Sequence, residues 1–202
     1  MVEFGCGSAR LSRFVSEYGL RVIGVDRSSE ALQVAQRGAH RARLEIRLVR
    51  GDVLAVPLAS EAAEVVASTG LLEHFADPWP VVREMVRVLK PGGLFYSDIV
   101  PAKFSLYRCL DGLRVRQAAI FERPFSRQDI EGLLARAGLR DAEVFGAGVF
   151  PPRLPVLDRF AIVRKVIAAV VEATLPLWRA FDRTWVGTAV GFYFFAVAWK
   201  PR

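Results

Sequence analysis

Over its first hundred residues this chain alternates short apolar runs with helical patterns, and the apolar runs end on glycine or an acid. Residues 2–4 run into Gly5-Cys6-Gly7, residues 21–25 into Asp26, residues 44–50 into Gly51-Asp52, and residues 64–68 into Thr69-Gly70. A fifth run covers residues 93–100. Between them, Leu11, Phe14 and Val15 have helical spacing before Gly19. Ser28 or Ser29 caps a second helix predicted through Arg37, with Ala31, Leu32, Val34 and Ala35 inside. A third is predicted over residues 80–89, with Val81, Val82, Met85, Val86 and Leu89 on one side. This rhythm predicts an α/β fold: a doubly wound, mostly parallel sheet with helices on both faces. Ligands on such sheets bind beyond the carboxyl ends of the strands. The polar candidates all fall there.

The second half is less regular. Residues 101–125 read as a connector with a helix near 106–119. A capped helix over 126–137 turns Ile130, Leu133 and Leu134 inward, and a strand follows at 139–146. Residues 147–184 form a mainly helical insertion before the last strand, with a narrow charged stripe of Asp158, Lys165, Glu172 and Arg179. Residues 184–199 carry no charge, but the run is shorter than the roughly 20 residues a membrane-spanning helix needs. Its aromatic and β-branched content reads as a buried strand. All 202 residues are expected to form a single domain.

Net charge is +7, almost entirely from dispersed arginine, with lysine only at 90, 103, 165 and 200. No basic run interleaves with aromatics, so no nucleic-acid partner is expected. Cys6 and Cys109 are far apart, and with only His40 and His74 in the chain no metal site is expected. The pattern fits a reducing compartment, and no signal peptide opens the chain, so a cytoplasmic location is expected.

The opening turn admits two cofactor classes. A dinucleotide turn is G-x-G-x-x-G with an acid about 20 residues on. Gly5, Gly7 and Asp26 meet that form, but Arg10 stands at its third glycine. The wider set is Glu3-x-Gly5-x-Gly7, Asp26, Gly51-Asp52-Val53, Leu72-Glu73-His74 and Leu89-Lys90-Pro91-Gly92-Gly93. Together these resemble the class I S-adenosylmethionine-dependent methyltransferases, in the small-molecule group with an E-x-G-C-G-x-G turn and L-K-P-G-G before strand five. The resemblance covers about residues 1–100 and the last strand. It implies a seven-stranded Rossmann-like sheet whose last strand is antiparallel.

The resemblance implies S-adenosyl-L-methionine as cofactor and assigns roles by position. Gly5, Cys6 and Gly7 would bring backbone close to the methionine part, with Glu3 beneath the turn. Asp26, followed by Arg27, would accept both ribose hydroxyls. Asp52 and the backbone of Val53 would read the adenine, and Thr69 and Gly70 would line the methyl end. Two departures stand out. Ala9 replaces the family's third glycine, which is tolerable if φ is negative there. The first strand is only a few residues long, so the N-terminus is expected to be truncated, with a natural start upstream of Met1.

Methyl transfer from a sulfonium depends chiefly on alignment. His74 is the candidate catalytic base, needed only where the acceptor must lose a proton. Glu73 is placed to orient His74 or to join a metal site. Quinone-type relatives carry an acid three residues earlier, where this chain has Gly70, so no metal is expected. The partner is a small-molecule methyl acceptor, expected to be hydrophobic. Residues 101–125 and 147–184 form its candidate cap, with Tyr107, Phe121, Phe125 and Phe150 as candidate liners or core residues. Peripheral membrane contact or dimerisation through 154–182 is a further expectation. The alternatives are an NAD(P)-linked oxidoreductase and a decayed, non-catalytic methyltransferase fold used for binding.

Overall fold

The computed structural model describes residues 1–100, 123–148, 173–174, 176–177, 179–190 and 193–202. Seven strands form one sheet: β1 Val2–Phe4, β2 Val22–Asp26, β3 Ile46–Arg50, β4 Ala63–Thr69, β5 Leu89–Ile99, β6 Arg140–Ala147 and β7 Tyr193–Trp199. Their order is β3-β2-β1-β4-β5-β7-β6. The pairs β1–β2, β1–β4, β2–β3 and β4–β5 are parallel, and β7 runs antiparallel to both of its neighbours. The expected mostly parallel sheet with an antiparallel last strand is therefore present.

The described helices are α1 Arg10–Ser16, α2 Ser29–Ala42, α3 Trp79–Val88, α4 Arg127–Arg136 and α5 Trp185–Val190, with a 3₁₀ turn at Leu72–His74. Val81, Val82, Met85 and Val88 of α3 and Ile130 and Leu134 of α4 bury against one face of the sheet. They meet Phe4, Val66, Phe95, Ile99, Phe194 and Ala196 there. Phe125 is part of this core, 3% exposed, the second of the two places the sequence allows it. Ser126 and Asp129 form a reciprocal capping box at the start of α4.

Three elements depart from the sequence expectation. Helix α2 passes Gly38 and ends at Ala42, where Arg43 takes the left-handed C-cap conformation; the Arg13 guanidinium lies over Gly38, 2.9 Å from where a Cβ would sit. In α1 the buried residue is Ser12, while Phe14 is 56% exposed and packs edge-to-face with Tyr18. The apolar spacing of α1 therefore did not mark its inward face. Residues 184–199 are not one strand. Trp185–Val190 is helical, and its Gly187 lies so close to the Gly146 carbonyl that a Cβ would sit 2.6 Å away. Most of 101–125 and 147–184, with Tyr107, Phe121, Phe150 and most of the charged stripe, lies outside the described residues.

Candidate functional site

Strand β1 is three residues long and fully buried, yet it occupies the sheet centre between β2 and β4. The switch in strand order falls between β1 and β4, so the turn after β1 opens at the crevice where such sheets hold ligands. Gly5 and Gly7 both have positive φ, at 64° and 52°. A Cβ on Gly5 would meet Leu71 Cδ1 at 2.6 Å, whereas one on Gly7 would meet nothing within 4 Å. Gly5 is needed for its positive φ, and a side chain there would also have to displace Leu71. Gly7 is needed for its conformation and presents open backbone to the crevice.

Asp26, at the end of β2, is tied to that turn. Its Oδ2 accepts from the Gly7 N–H at 2.8 Å and its Oδ1 from the Ser28 N–H at 2.9 Å. Each oxygen keeps further acceptor capacity. Arg27 beside it is exposed, and its carbonyl accepts from Arg50 Nε. Glu3 is 0% exposed, its carboxylate held between α1 and the end of β4. Its Oε2 accepts from the Ser12 backbone N–H at 2.9 Å and from the Ser12 hydroxyl. Its Oε1 accepts from Thr69 Oγ1 at 3.4 Å. Burial raises its carboxyl above the usual range, partly offset by the Ser12 and Thr69 hydrogen bonds.

Cys6 is buried, and its sulfur packs on Gly24, where a Cβ would be 2.9 Å from Sγ. Burial pushes the thiol up to about 12, so Cys6 offers the crevice backbone and no reactive sulfur. Ala9 overturns one expectation. Its φ is 56° and ψ 44°, the left-handed region, and it is fully buried at the start of α1. The condition for tolerating a methyl there, a negative φ, is not met.

Asp52 is exposed after β3, with Oδ1 accepting from the Leu54 N–H at 2.9 Å, and Val53 beside it is buried. Thr69 ends β4, and Gly70 follows with φ 56°. His74 closes the 3₁₀ turn and is exposed. Glu73 points inward instead, 1% exposed, with Oε1 accepting from the Val100 N–H at 3.3 Å. His74 acts on it as a neighbouring charge.

Sequence reasoning missed Asp98, near the end of β5. Its Oδ1 accepts from the Gly70 N–H at 2.9 Å and its Oδ2 from Tyr96 Oη at 3.4 Å. Burial pushes its carboxyl up to about 6. An acid near a strand's carboxyl end is the signal that selected Asp26 and Asp52, and it was equally available here. A groove of about 540 Å³ is lined by Thr69, Tyr96 and Asp98 on the sheet side and by Arg10, Leu11 and Phe14 among the α1 residues. A larger depression, about 1240 Å³, lies at the opposite edge of the strands, beside Arg21, Arg43 and Arg47, away from every strand-end acid. Among the described residues, no three His, Cys, Asp or Glu side chains are disposed to hold a metal, and no helix is long and apolar enough to cross a membrane.

Comparison with known proteins bears on the family and the fold. Residues 2–97 match a family model described as a methyltransferase domain. The ubiquinone biosynthesis O-methyltransferase of Coxiella burnetii is 27% identical over 107 residues, covering 53% of this chain and 46% of that protein. The protein of the same name from Photorhabdus laumondii is 27% identical over 177 residues, covering 82% and 71%. The chain spans about half the length of most of the curated relatives it matches. Among solved structures, phosphoethanolamine N-methyltransferase 2 of Haemonchus contortus, in complex with S-adenosyl-L-methionine, superposes with a TM-score of 0.66 at 21% identity. That match covers all of this chain and 48% of the other, and it shows the shared fold.

Proposed function

We propose that this chain, whose residues 2–97 match a family model described as a methyltransferase domain, is a class I S-adenosylmethionine-dependent methyltransferase that binds S-adenosyl-L-methionine at the carboxyl edge of its sheet and methylates a small hydrophobic acceptor. The observation that carries the reading is the tie between the open Gly7 backbone and Asp26, which sets a carboxylate beside a glycine turn at the strand-order switch. The residues fit the group. Asp26 retains acceptor capacity for a ribose diol, and Asp52 and Val53 stand at the next strand end for the adenine. Glu3 is buried beneath the turn, close to where a methionine ammonium would lie.

When bound, the cofactor supplies an electrophilic methyl on a sulfonium for in-line displacement. The chain's own residues hold and align. Gly5 and Gly7 keep side chains out of the approach, and Thr69 and Gly70 border the transferring end. His74, exposed four residues beyond Gly70, takes the proton of a hydroxyl acceptor. The names of the curated relatives favour oxygen as the acceptor atom.

The test is incubation with methyl-labelled cofactor and a panel of apolar phenols, followed by extraction and identification of labelled product. Label in a phenol ether, reduced by His74→Ala with cofactor affinity retained, supports the reading. Cofactor binding with no labelled product from any acceptor would favour a non-catalytic binding role. An NAD(P)-linked reading is disfavoured by Arg10, which stands where a dinucleotide turn places its third glycine.

A further inference from the structure

The loop between β3 and β4, residues 51–62, contains neither helix nor strand, yet the turn in it that carries Asp52 and Val53 is fixed at both ends. At the near end the Gly51 N–H donates to the Asp26 carbonyl at 3.0 Å. The turn then closes on itself: the Ala55 N–H donates to the Asp52 carbonyl at 3.1 Å, and the Leu54 N–H to Asp52 Oδ1 at 2.9 Å. At the far end α3 catches Val56 by both of its backbone polar groups. The Val56 N–H donates to Glu84 Oε1 at 2.8 Å, and the Val56 carbonyl accepts from Arg87 Nη2 at 3.2 Å.

Glu84 and Arg87 are also locked to each other. Arg87 Nε and Nη2 donate to Glu84 Oε2 and Oε1, both at 2.7 Å. These bonds hold the Glu84 carboxyl below its ordinary range, so the buried side chain stays charged. A bidentate guanidinium–carboxylate fork fixes orientation as well as distance. Arg87 reaches further along the same loop: its Nη1 donates to Ser60 Oγ at 3.3 Å, and its carbonyl accepts from the Glu61 N–H at 2.8 Å. Connecting loops are ordinarily the mobile parts of a fold; this one is fastened to a helix. Among the described residues the Val53 N–H and Asp52 Oδ2 make no hydrogen bond, so the fixed turn offers one donor and one acceptor.

We propose that Glu84 and Arg87 are positioning residues for base selectivity: by fixing Val56 they set the angle at which the Asp52–Val53 turn meets the adenine. This rests on the cofactor reading above, in which that turn reads the base. Adenine offers a donor at its 6-amino group and an acceptor at N1. Its 6-oxo counterpart offers the reverse at both atoms. Discrimination between the two depends on where a donor and an acceptor are held, and little on how much apolar surface is buried. Both side chains act through Val56, so their effect is read in the ratio of two affinities.

Calorimetric titration of the full chain with S-adenosylhomocysteine and with S-inosylhomocysteine, its 6-oxo counterpart, tests this. The wild type should hold the adenine form at least about tenfold more tightly. Glu84→Ala should cut that ratio to less than about threefold, by weakening the adenine form while the 6-oxo form changes less than about twofold. Glu84→Gln, which keeps an acceptor for the Val56 N–H, should restore most of the ratio. A role in folding alone lowers the melting temperature and the folded fraction and leaves the ratio unchanged. Should Glu84→Ala fail to fold, Arg87→Gln, at the half-buried partner, carries the same expectation. A wild-type ratio kept in a folded variant, or parallel loss for both ligands, would overturn the proposal and leave the cofactor reading standing. Equal wild-type affinities would overturn it together with the adenine assignment of Asp52 and Val53. Absence of binding by both ligands to the wild type would overturn the cofactor reading itself, and the proposal with it.

Discussion

The backbone N–H of Gly7 donates to Asp26 Oδ2 at 2.8 Å, so the glycine turn after β1 and the acid ending β2 behave as one unit. The other oxygen of Asp26 receives the Ser28 N–H that leads into α2. Asp26→Ala removes both acceptors. Charge-assisted hydrogen bonds of this kind are worth about 1.5–3 kcal/mol each at most, and partial exposure lowers that. We expect a stability loss of about 1–3 kcal/mol in urea denaturation, together with at least about tenfold weaker binding of cofactor and product alike.

Ala9 tests the strain at the start of α1. A left-handed alanine costs roughly 1–2 kcal/mol. Replacing it with glycine removes that strain but loses a buried methyl, about 0.8 kcal/mol, and adds about 0.4–1 kcal/mol of unfolded-chain entropy. The opposing terms nearly cancel. Ala9→Gly should therefore change stability by less than about 0.5 kcal/mol, where an unstrained buried alanine would lose about 1.5. A loss of the larger size in denaturant titration would mean that φ is not positive at this position.

Much of the carboxyl edge was legible in the sequence because strand-end position and polar chemistry coincide there. Gly5, Asp26, Asp52 and Thr69 could be located by counting along alternating patterns. Ser12 and the inward turn of Glu73 could not be read that way, and Asp98, whose place near a strand end was legible, has its Gly70 partner only in space. Ser12 interrupts the apolar spacing of α1, yet it is the buried residue because Glu3 needs its donors. Glu73 and His74 are adjacent in sequence and part ways in space, one buried and one exposed. Pairing between residues remote in sequence, such as Gly70 with Asp98, depends on the β4–β5 register. Periodicity within one segment carries no such information. The change from helix to strand between Val190 and Tyr193 was likewise hidden inside one continuous apolar run.

The acids at the turn after β4 make stability depend on pH. Glu3, Glu73 and Asp98 all have folded carboxyls above their ordinary values, chiefly through burial. The folded protein therefore holds more protons than the unfolded chain between about pH 4 and the folded values. The contribution of these three groups to stability is greatest below that window and falls as pH rises through it. For Asp98 the window runs from 3.8 to about 6, which sets an upper limit of about 3 kcal/mol on its share. Urea midpoints should be higher at pH 5 than at pH 7.5, and Asp98→Asn should narrow the difference.

Cys6 should be inert in the folded protein. Its thiol is buried and pushed up to about 12, so almost no thiolate forms at neutral pH. Iodoacetamide followed by peptide mass spectrometry should find Cys6 unmodified in the native protein and fully alkylated in denaturant. Native alkylation of Cys6 would show that the turn opens to solvent.

The central claim is that the glycine turn and the strand-end acids select S-adenosylmethionine. Its most direct test is calorimetric titration of the wild-type chain with S-adenosylmethionine, S-adenosylhomocysteine and NADH under one set of conditions. The account predicts saturable binding of the first two with dissociation constants on the order of micromolar, and no binding heat with NADH up to about 1 mM. Saturable binding of NADH, or of none of the three, would contradict it.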